Sequence, residues 1–335
     1  MGKKHGGGGL VDGGSSITTD ANGNVYTTGT FTGTVDFNPN AGTSNLTSNG
    51  GPEIFILKLD ASGNFLWAIS IGGINYDRSF SITTDAYQNV YTTGLFEGTV
   101  DFNPGTGTNS LTSNGNTDAF IQKLDSNGNF LWAKGFGSVN LDNGWSVTID
   151  LNGNIYSTGR FEGTVDFDPG IGTSNLTSSG PNAFIQKLDS NGNFVWAINI
   201  GGSDFDYGLS IAIDTFNNIY TAGSFSGIVD FDPGTGTSNL ISNGSNDAFI
   251  QKLDVNGNFI WAIAIGGSAD DRGNSITTDL YGNTYTTGHF SDTVNFDSGI
   301  GTNNLTSNGW RDAFIQKLDA NGNFIWAINV GGGRF

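Results

Sequence analysis

Carboxylates and amides recur along this chain at spacings that cation binding and turn formation both use. Ten segments read Asp-x-x-x-Asn, beginning with Asp20–Asn24 and Asp60–Asn64. An Asp-x-Asn-Gly opening suits a twelve-residue calcium loop. It suits a hairpin turn equally well, because Asp accepts a bond from the backbone two residues on and Gly takes a positive φ. Three of the ten place Tyr87, Phe216 or Tyr281 at the third position, where no oxygen is offered to a cation, and no Glu stands at position twelve. These segments are predicted to be turns.

A second set comes in pairs: Asp36 and Asn38, Asp101 and Asn103, Asp166 and Asp168, Asp230 and Asp232, Asn295 and Asp297. Side chains two apart on a strand point the same way. Each pair can therefore grip one calcium ion together with carbonyls of the turn that follows. In the structural alternative the first residue caps a turn and the second opens a bend. A third set is Asp12, Asp77, Asp142, Asp206 and Asp271, each closing a glycine-rich loop. These acids either bind a cation or ligand, or bond loop amides and lock adjacent units.

Two tryptophans and one histidine break the regularity. Trp145 and Trp310 replace other residues at equivalent positions and fall in predicted loops, where an exposed indole stacks on a sugar or anchors a protein contact. His289 is the only histidine outside the N-terminal segment, and its counterparts are Thr30, Leu95, Arg160 and Ser224. Catalysis needs unlike groups in unlike roles. Here no nucleophile–His–acid set, His-rich cluster or phosphate-cradling motif appears, so the chain reads as non-enzymatic.

These residues are positioned by a repeat. The segment Asp118–Ala133, DAFIQKLDSNGNFLWA, recurs as Glu53–Ala68, Asn182–Ala197, Asp247–Ala262 and Asp312–Ala327, at intervals of 64 or 65 residues. Such a period dictates architecture before any single residue does. Each unit opens with a loop such as Gly72–Asp77 and continues through two short β-branched runs, Ser81–Asp85 and Asn89–Gly94 in the second unit. Next comes an insertion of about 23 residues, Leu95–Thr117 in that unit, with a short strand at Thr99–Phe102 and a partner at Ser110–Ser113. The recurring segment then supplies strands three and four, apolar on both faces as if sandwiched between sheets. No window shows a helical stripe. The fold class is all-β: a five-bladed β-propeller of four-stranded blades, approximately residues 15–71, 80–136, 145–201, 209–266 and 274–331, with a long insertion between strands two and three. An open stack would expose apolar faces at both ends, and closure removes that cost.

Totals agree. Twenty-five Phe, nine Tyr and seven Trp among 335 residues supply a core, and Phe recurs at four positions per unit: Phe31, Phe37, Phe55 and Phe65 in the first. Trp67, Trp132, Trp196, Trp261 and Trp326 alternate with Phe and read as packing residues. A formal charge of −18 makes nucleic acid and anionic membranes poor partners. There is no cysteine, and no stretch approaches the roughly 20 apolar residues of a membrane helix. The start, MGKKHGGGGL, lacks the apolar region of a signal peptide, so either that peptide has been removed or the chain is a piece of a longer one; the ending part-way into a repeated loop favours the second.

Three quoted pieces, Asp118-Ala-Phe-Ile-Gln-Lys-Leu-Asp125, Gly128-Asn-Phe-Leu-Trp132 and Asn154-Ile-Tyr-Ser-Thr-Gly159, resemble the SBBP-type bacterial β-propeller repeat. The resemblance spans roughly residues 10–330. It implies a propeller of bacterial secreted or cell-surface proteins and brings no catalytic residues; the VDFNPG and VDFDPG insertions depart from it. The expected function is a non-catalytic extracellular module with a structural or adhesive role, self-assembling or holding a surface partner. A multivalent carbohydrate-binding propeller is the alternative. No cofactor is called for, and calcium is the one candidate.

Overall fold

Short β-branched runs separated by Asp, Asn and Gly turns fold as antiparallel meanders, because tight turns bring consecutive strands side by side. The computed structural model describes residues 12–333. The His5-containing start and the final two residues lie outside the described residues. Every regular element among those described is a strand.

Five four-stranded antiparallel sheets follow one another, making this all-β chain a five-bladed β-propeller. Blade 1 comprises Gly13–Thr19, Val25–Phe31, Glu53–Leu59 and Phe65–Ile71, and blade 2 Arg78–Thr84, Val90–Asp101, Ser110–Leu124 and Phe130–Phe136. Blade 3 comprises Asn143–Ile149, Ile155–Phe161, Asn182–Leu188 and Phe194–Ile200. Blade 4 comprises Tyr207–Ile213, Ile219–Asp230, Asn239–Leu253 and Phe259–Ile265, and blade 5 Arg272–Thr278, Thr284–Phe290, Asp312–Leu318 and Phe324–Val330. In each, chain order is also spatial order. Contacts group the chain into two compact units, Met1–Ile155 with Thr164–Asn175 and Leu188–Val195, and Tyr156–Gly163 with Leu176–Lys187 and Trp196–Phe335.

The predicted insertion strands are present and longer than expected in two blades. In blades 2 and 4 strands two and three run on into the insertion without a break, whereas blades 1, 3 and 5 form separate small hairpins such as Thr34–Asp36 with Asn45–Thr47. First strands also begin earlier than the alternation suggested. A bulge, between Ser79 and Ser81 in blade 2, prolongs the pairing. The bulged strand approaches so closely that a Cβ on Gly94 would lie 1.9 Å from the Arg78 carbonyl oxygen. That contact accounts for the glycine of the Asn-x-Tyr-x-x-Gly run.

In the first unit Ile54, Ile56 and Ile71 of blade 1 pack against Ile82, Val90, Phe96 and Phe120 of blade 2. In the second unit blade 4 meets blade 5 through the equivalent residues Ala248, Ile250, Ile265, Ile276, Phe290 and Phe314. Within a blade the recurring Phe cluster, edge-on in Phe96–Phe102 at 5.3 Å and tilted in Phe102–Phe120 at 4.9 Å. The fourth strand departs from expectation. Leu66, Leu131, Val195 and Ile260 are 44–46% exposed, so this outermost strand is covered on one face only. The recurring Trp pack as expected but from the rim: Trp67, Trp196 and Trp261 are partly buried against the core clusters. Trp67 sits edge-on to Tyr26 at 6.2 Å and donates its indole N–H to the Ser126 carbonyl of blade 2 at 3.2 Å.

Candidate functional site

Ten Asp-x-x-x-Asn segments were predicted to be turns, and the structure shows how the carboxylate is used. In Asp125 one oxygen accepts the amides of Asn127 and Asn129 at 2.8 and 2.9 Å, and the other accepts the Asn129 side-chain amide at 2.8 Å. Asp85 does the same and also accepts the Tyr91 hydroxyl at 2.9 Å. These bonds favour the ionised form: side-chain and backbone bonds to Asn64 hold Asp60 below the usual carboxylate range. A turn so braced presents its middle residues rigidly. Those residues are Tyr87, Leu151, Phe216, Leu280 and Tyr281, which are 69–91% exposed. In the first unit Tyr87 and Leu151 rim a cleft of about 560 Å³ that is floored by Tyr91, Lys123 and Asp85. Sequence reasoning used Tyr87, Phe216 and Tyr281 only to argue against calcium and overlooked them as a surface. The available signal was a large ring at the tip of a turn, where nothing in the chain can cover it.

In the insertion pairs only the first member lies on a strand, so the two side chains do not converge as expected. Asp101 accepts the amides of Asn103 and Asn109 at 3.0 and 2.8 Å, and Asn103 in turn accepts the Gly105 amide at 2.9 Å. The same pattern holds for Asp36 with Asn38, Asp166 with Asp168, Asp230 with Asp232, and Asn295 with Asp297. Backbone amides of a local turn out-compete convergence because they lie within reach of a single carboxylate. Among the described residues no three His, Cys, Asp or Glu side chains gather as metal ligands.

Four of the five loop acids are buried rather than presented: Asp77, Asp142, Asp206 and Asp271 are at most 1% exposed, while Asp12 is exposed. Asp77 accepts the Gly73 amide at 2.7 Å and the Glu97 amide at 3.1 Å, while its own amide donates to the Pro52 carbonyl at 3.0 Å. It thereby ties blade 1 to the root of the blade 2 insertion. Asp206 and Asp271 repeat the pattern, Asp142 accepts the Ser138 amide, and Asp12 accepts the Thr32 amide at 3.0 Å. Burial pushes Asp77, Asp206 and Asp271 up to about 6.

Beside this set lies one that sequence reasoning missed. Glu53, Asn182 and Asp312 open the third strands of blades 1, 3 and 5, Asp118 and Asp247 hold the same position inside the longer third strands of blades 2 and 4, and all five are at most 2% exposed. Asp118 accepts the backbone and side-chain amides of Asn114, each at 3.2 Å, and burial pushes its carboxyl up to about 7 with Asp142 nearby adding to the shift. The signal was the glycine opposite. A Cβ on Gly137 would lie 2.5 Å from an Asp118 oxygen, and Gly266 stands in the same relation to Asp247.

The two odd tryptophans separate. Trp145 is not in a loop: it belongs to the first strand of blade 3 and is half-buried, because that strand starts at Asn143. Trp310 is in a loop and 72% exposed, beside Asp292 and Asn308 in a hollow of about 510 Å³. Close by, Asp270 gathers Arg311 at 2.7 Å, His289 at 3.4 Å and Arg272 at 3.5 Å. Its other oxygen accepts the Asn246 side-chain amide at 2.7 Å. His289 is held below its ordinary pKa by burial. Asp270 is thus spent on its neighbours, and the cluster reads as a structural ion network that ties blade 5 to Asn246 of blade 4.

No family model matches the chain. It is 28% identical over 378 aligned positions to an uncharacterized WD repeat-containing protein, L264, of Acanthamoeba polyphaga mimivirus, with 93% of this chain and 27% of that relative covered. It is 26% identical over 178 positions to the regulatory protein FlaEY of Caulobacter vibrioides, with 53% and 18% covered. The chain therefore spans less than a third of the length of either. Among solved structures, a protein of unknown function from Bacteroides caccae aligns at TM-score 0.37 and 8% identity, over 95% of this chain and 81% of that one. A member of the DUF4221 family from Bacteroides vulgatus aligns at 0.36 and 11%, over 99% and 86%.

Proposed function

We propose that this chain is a non-catalytic interaction module that binds other proteins through the tips of its first hairpin turns. The observation that carries this reading is the exposure of Tyr87, Leu151, Phe216 and Tyr281 on turns braced by Asp–Asn hydrogen bonds. Large apolar groups held rigidly in water lose little entropy on docking, and aromatic anchors of this kind dominate protein interfaces. Propellers and WD-repeat proteins are typically interaction modules, a fold-level analogy in support. An acidic chain resembling repeats of bacterial surface proteins suits the outside of a cell. In this reading the chain is secreted or displayed there as an adhesive or structural piece.

The test compares the wild-type chain with a Tyr87→Ser, Leu151→Ser, Phe216→Ser, Tyr281→Ser variant as crosslinking baits against surface fractions of the source cells. The variant is expected to keep its melting temperature and lose the specific captures. Unchanged captures would remove the turn tips as the interface. A glycan-binding reading has one observation in its favour, the exposed Trp310 beside the polar groups of Asp292 and Asn308. A glycan array that shows binding lost in Trp310→Ala would establish it.

A further inference from the structure

The chain carries 31 acids against 13 lysines and arginines, so a base left without an acid is out of place. In the second compact unit Lys187 and Lys252 donate to outer-turn carbonyls at 2.9 and 2.8 Å. Lys317 lies 3.9 Å from Asp279, and Arg272 and Arg311 share Asp270. Arg160 is the exception. Among the described residues its guanidinium forms no ion pair and no hydrogen bond, and its Nε is buried without a partner. An N–H shut off from water in this way costs stability unless an acceptor reaches it.

An aromatic ring stands where that acid is missing. The guanidinium carbon of Arg160 lies 5.9 Å from the centre of the Tyr207 ring, and that of Arg272 lies at the same distance from the same ring. Twice that distance is the most that can separate the two. Arg160 is the last residue but one in the second strand of blade 3, while Tyr207 and Arg272 open the first strands of blades 4 and 5. Phe205 packs on Tyr207 at 6.2 Å and is 55% exposed. Asp270 shows which chemistry this neighbourhood accepts, because Arg311, His289 and Arg272 converge on one of its oxygens. One carboxylate leaves three guanidiniums in excess. The acids next in sequence, Asp206 and Asp271, do not redress this, since both are buried and bonded to loop amides.

We propose that Arg160 and Arg272, gathered at Tyr207, bind an acidic segment of a partner protein, one carboxylate to each guanidinium. The guanidinium presents its donors in a fixed fork that matches a carboxylate. Acids two apart on an extended peptide stand about 7 Å from each other, and their side chains span the remainder. Phe205 gives the segment an apolar contact. A sugar acid fits less well, because the Tyr207 ring that would carry its pyranose already carries guanidinium groups. Net charge of −18 repels every further negative charge on the ligand, which favours a singly charged carboxylate over a phosphate and a short segment over a long polyanion. The site is distinct from the turn tips. In blade 5 Arg272 pairs with His289 at one end of the hairpin and Thr278 with Thr284 beside the turn at the other, about 20 Å away. Either reading can therefore fail without the other.

The test is fluorescence anisotropy of labelled peptides titrated with the whole chain up to about 1 mM, a range that reaches weak complexes. A peptide of alternating glutamate and glycine is expected to bind, and its glutamine counterpart is not. Arg160→Gln should weaken binding about tenfold or more, the weight of a charge-assisted contact. It should leave the melting temperature unchanged, because no hydrogen bond or ion pair of the fold ends on that guanidinium. Arg160→Lys keeps the charge without the fork and should fall between the two. Lys134→Gln removes the same charge from blade 2 and should bind as the wild type does. Absence of binding by the glutamate peptide would overturn the proposal, as would undiminished binding by Arg160→Gln. An equal loss in Lys134→Gln would reduce the effect to net charge and overturn it too. Tighter binding of a phosphoserine peptide or of a galacturonate oligomer would replace the acidic segment with that ligand.

Discussion

The indole of Trp132 in blade 2 lies against Gly192 of the blade 3 outer turn, so closely that a Cβ on the glycine would stand 3.1 Å from the ring. Gly192 also has φ of +78°, in the left-handed region that glycine occupies without strain. Two separate costs therefore fall on Gly192→Ala: about 1 kcal/mol for the backbone and about 1–3 kcal/mol for overpacking. Gly63 has the same backbone, φ +79°, and nothing near it. Gly63→Ala should cost the backbone term alone. Urea unfolding of the two variants measures the difference, and equal losses would mean that the tryptophan yields.

Buried carboxyls set the pH response. Asp118 is pushed up to about 7, and Asp77, Asp206, Asp247 and Asp271 to about 6, in each case chiefly by burial. A carboxyl whose pKa is higher in the folded chain binds more protons when folded. Between the unfolded value near 4 and the folded value, stability then falls as pH rises. The contribution is complete below about pH 4 and gone above about pH 7. The turn acids run the other way: Asp60 and Asp125 are held low, so their stabilisation is lost only as pH drops through the acid range. The melting temperature should therefore be higher at pH 5 than at pH 8. Asp118→Asn should flatten that slope, and a slope left unchanged would show that Asp118 is ionised when folded.

The insertion turns predict indifference to chelators. Asn295 performs in blade 5 what Asp101 performs in blade 2, accepting two backbone amides at 3.1 and 2.8 Å through a neutral oxygen. Charge is thus dispensable at this position, although an acceptor is not. Asp101→Asn should be nearly neutral, and Asp101→Ala should cost about 1 kcal/mol for the lost acceptor. EDTA should leave the melting temperature of the wild-type chain where it was. A drop that calcium restores would instead assign a cation to the paired residues.

Much of the fold was legible because local chemistry and global architecture agree in this chain. The period, the recurring Phe and Trp and the Asp-x-x-x-Asn turns each imply four short antiparallel strands per unit. Position within the array was not legible. Ser16-Ile17-Thr18-Thr19 and Ser81-Ile82-Thr83-Thr84 are the same four residues, yet Ile17 is 68% exposed and Ile82 4%. What covers Ile82 is Ile54, Ile56 and Ile71 of the preceding blade, which its own four residues do not announce. Trp145 was misplaced for a related reason: the bulge that prolongs the first strands is fixed by close approach to the second strand and leaves no mark in the alternation. The acid at the head of the third strand was visible as a residue but not as a buried one, because burial there depends on Gly137 across the sheet.

The turn acids should not be equal, although their sequences nearly are. Asp125 is half-buried and hydrogen-bonds within its own turn, with the Lys58 ammonium of blade 1 as its one electrostatic partner outside it. Asp214 makes the same bonds to Phe216 and Asn218, is 5% exposed, and in addition accepts the buried Tyr220 hydroxyl at 3.0 Å. Tyr220 in turn packs edge-on to Trp261 at 6.1 Å and lies beneath Lys252 at 5.0 Å. Those side chains reach the outer turn of blade 5, where Lys252 donates to the Ala320 carbonyl at 2.8 Å. Removing the acid at Asp214 therefore loosens a link between blades as well as a turn. Asp125→Ala should cost about 1 kcal/mol and Asp214→Ala about 2–3 kcal/mol, because charge-assisted bonds weigh more where water is excluded. A Tyr220→Phe background should narrow the gap in a double-mutant cycle. If the two single variants unfold at the same urea concentration, the hydroxyl bond carries no stability.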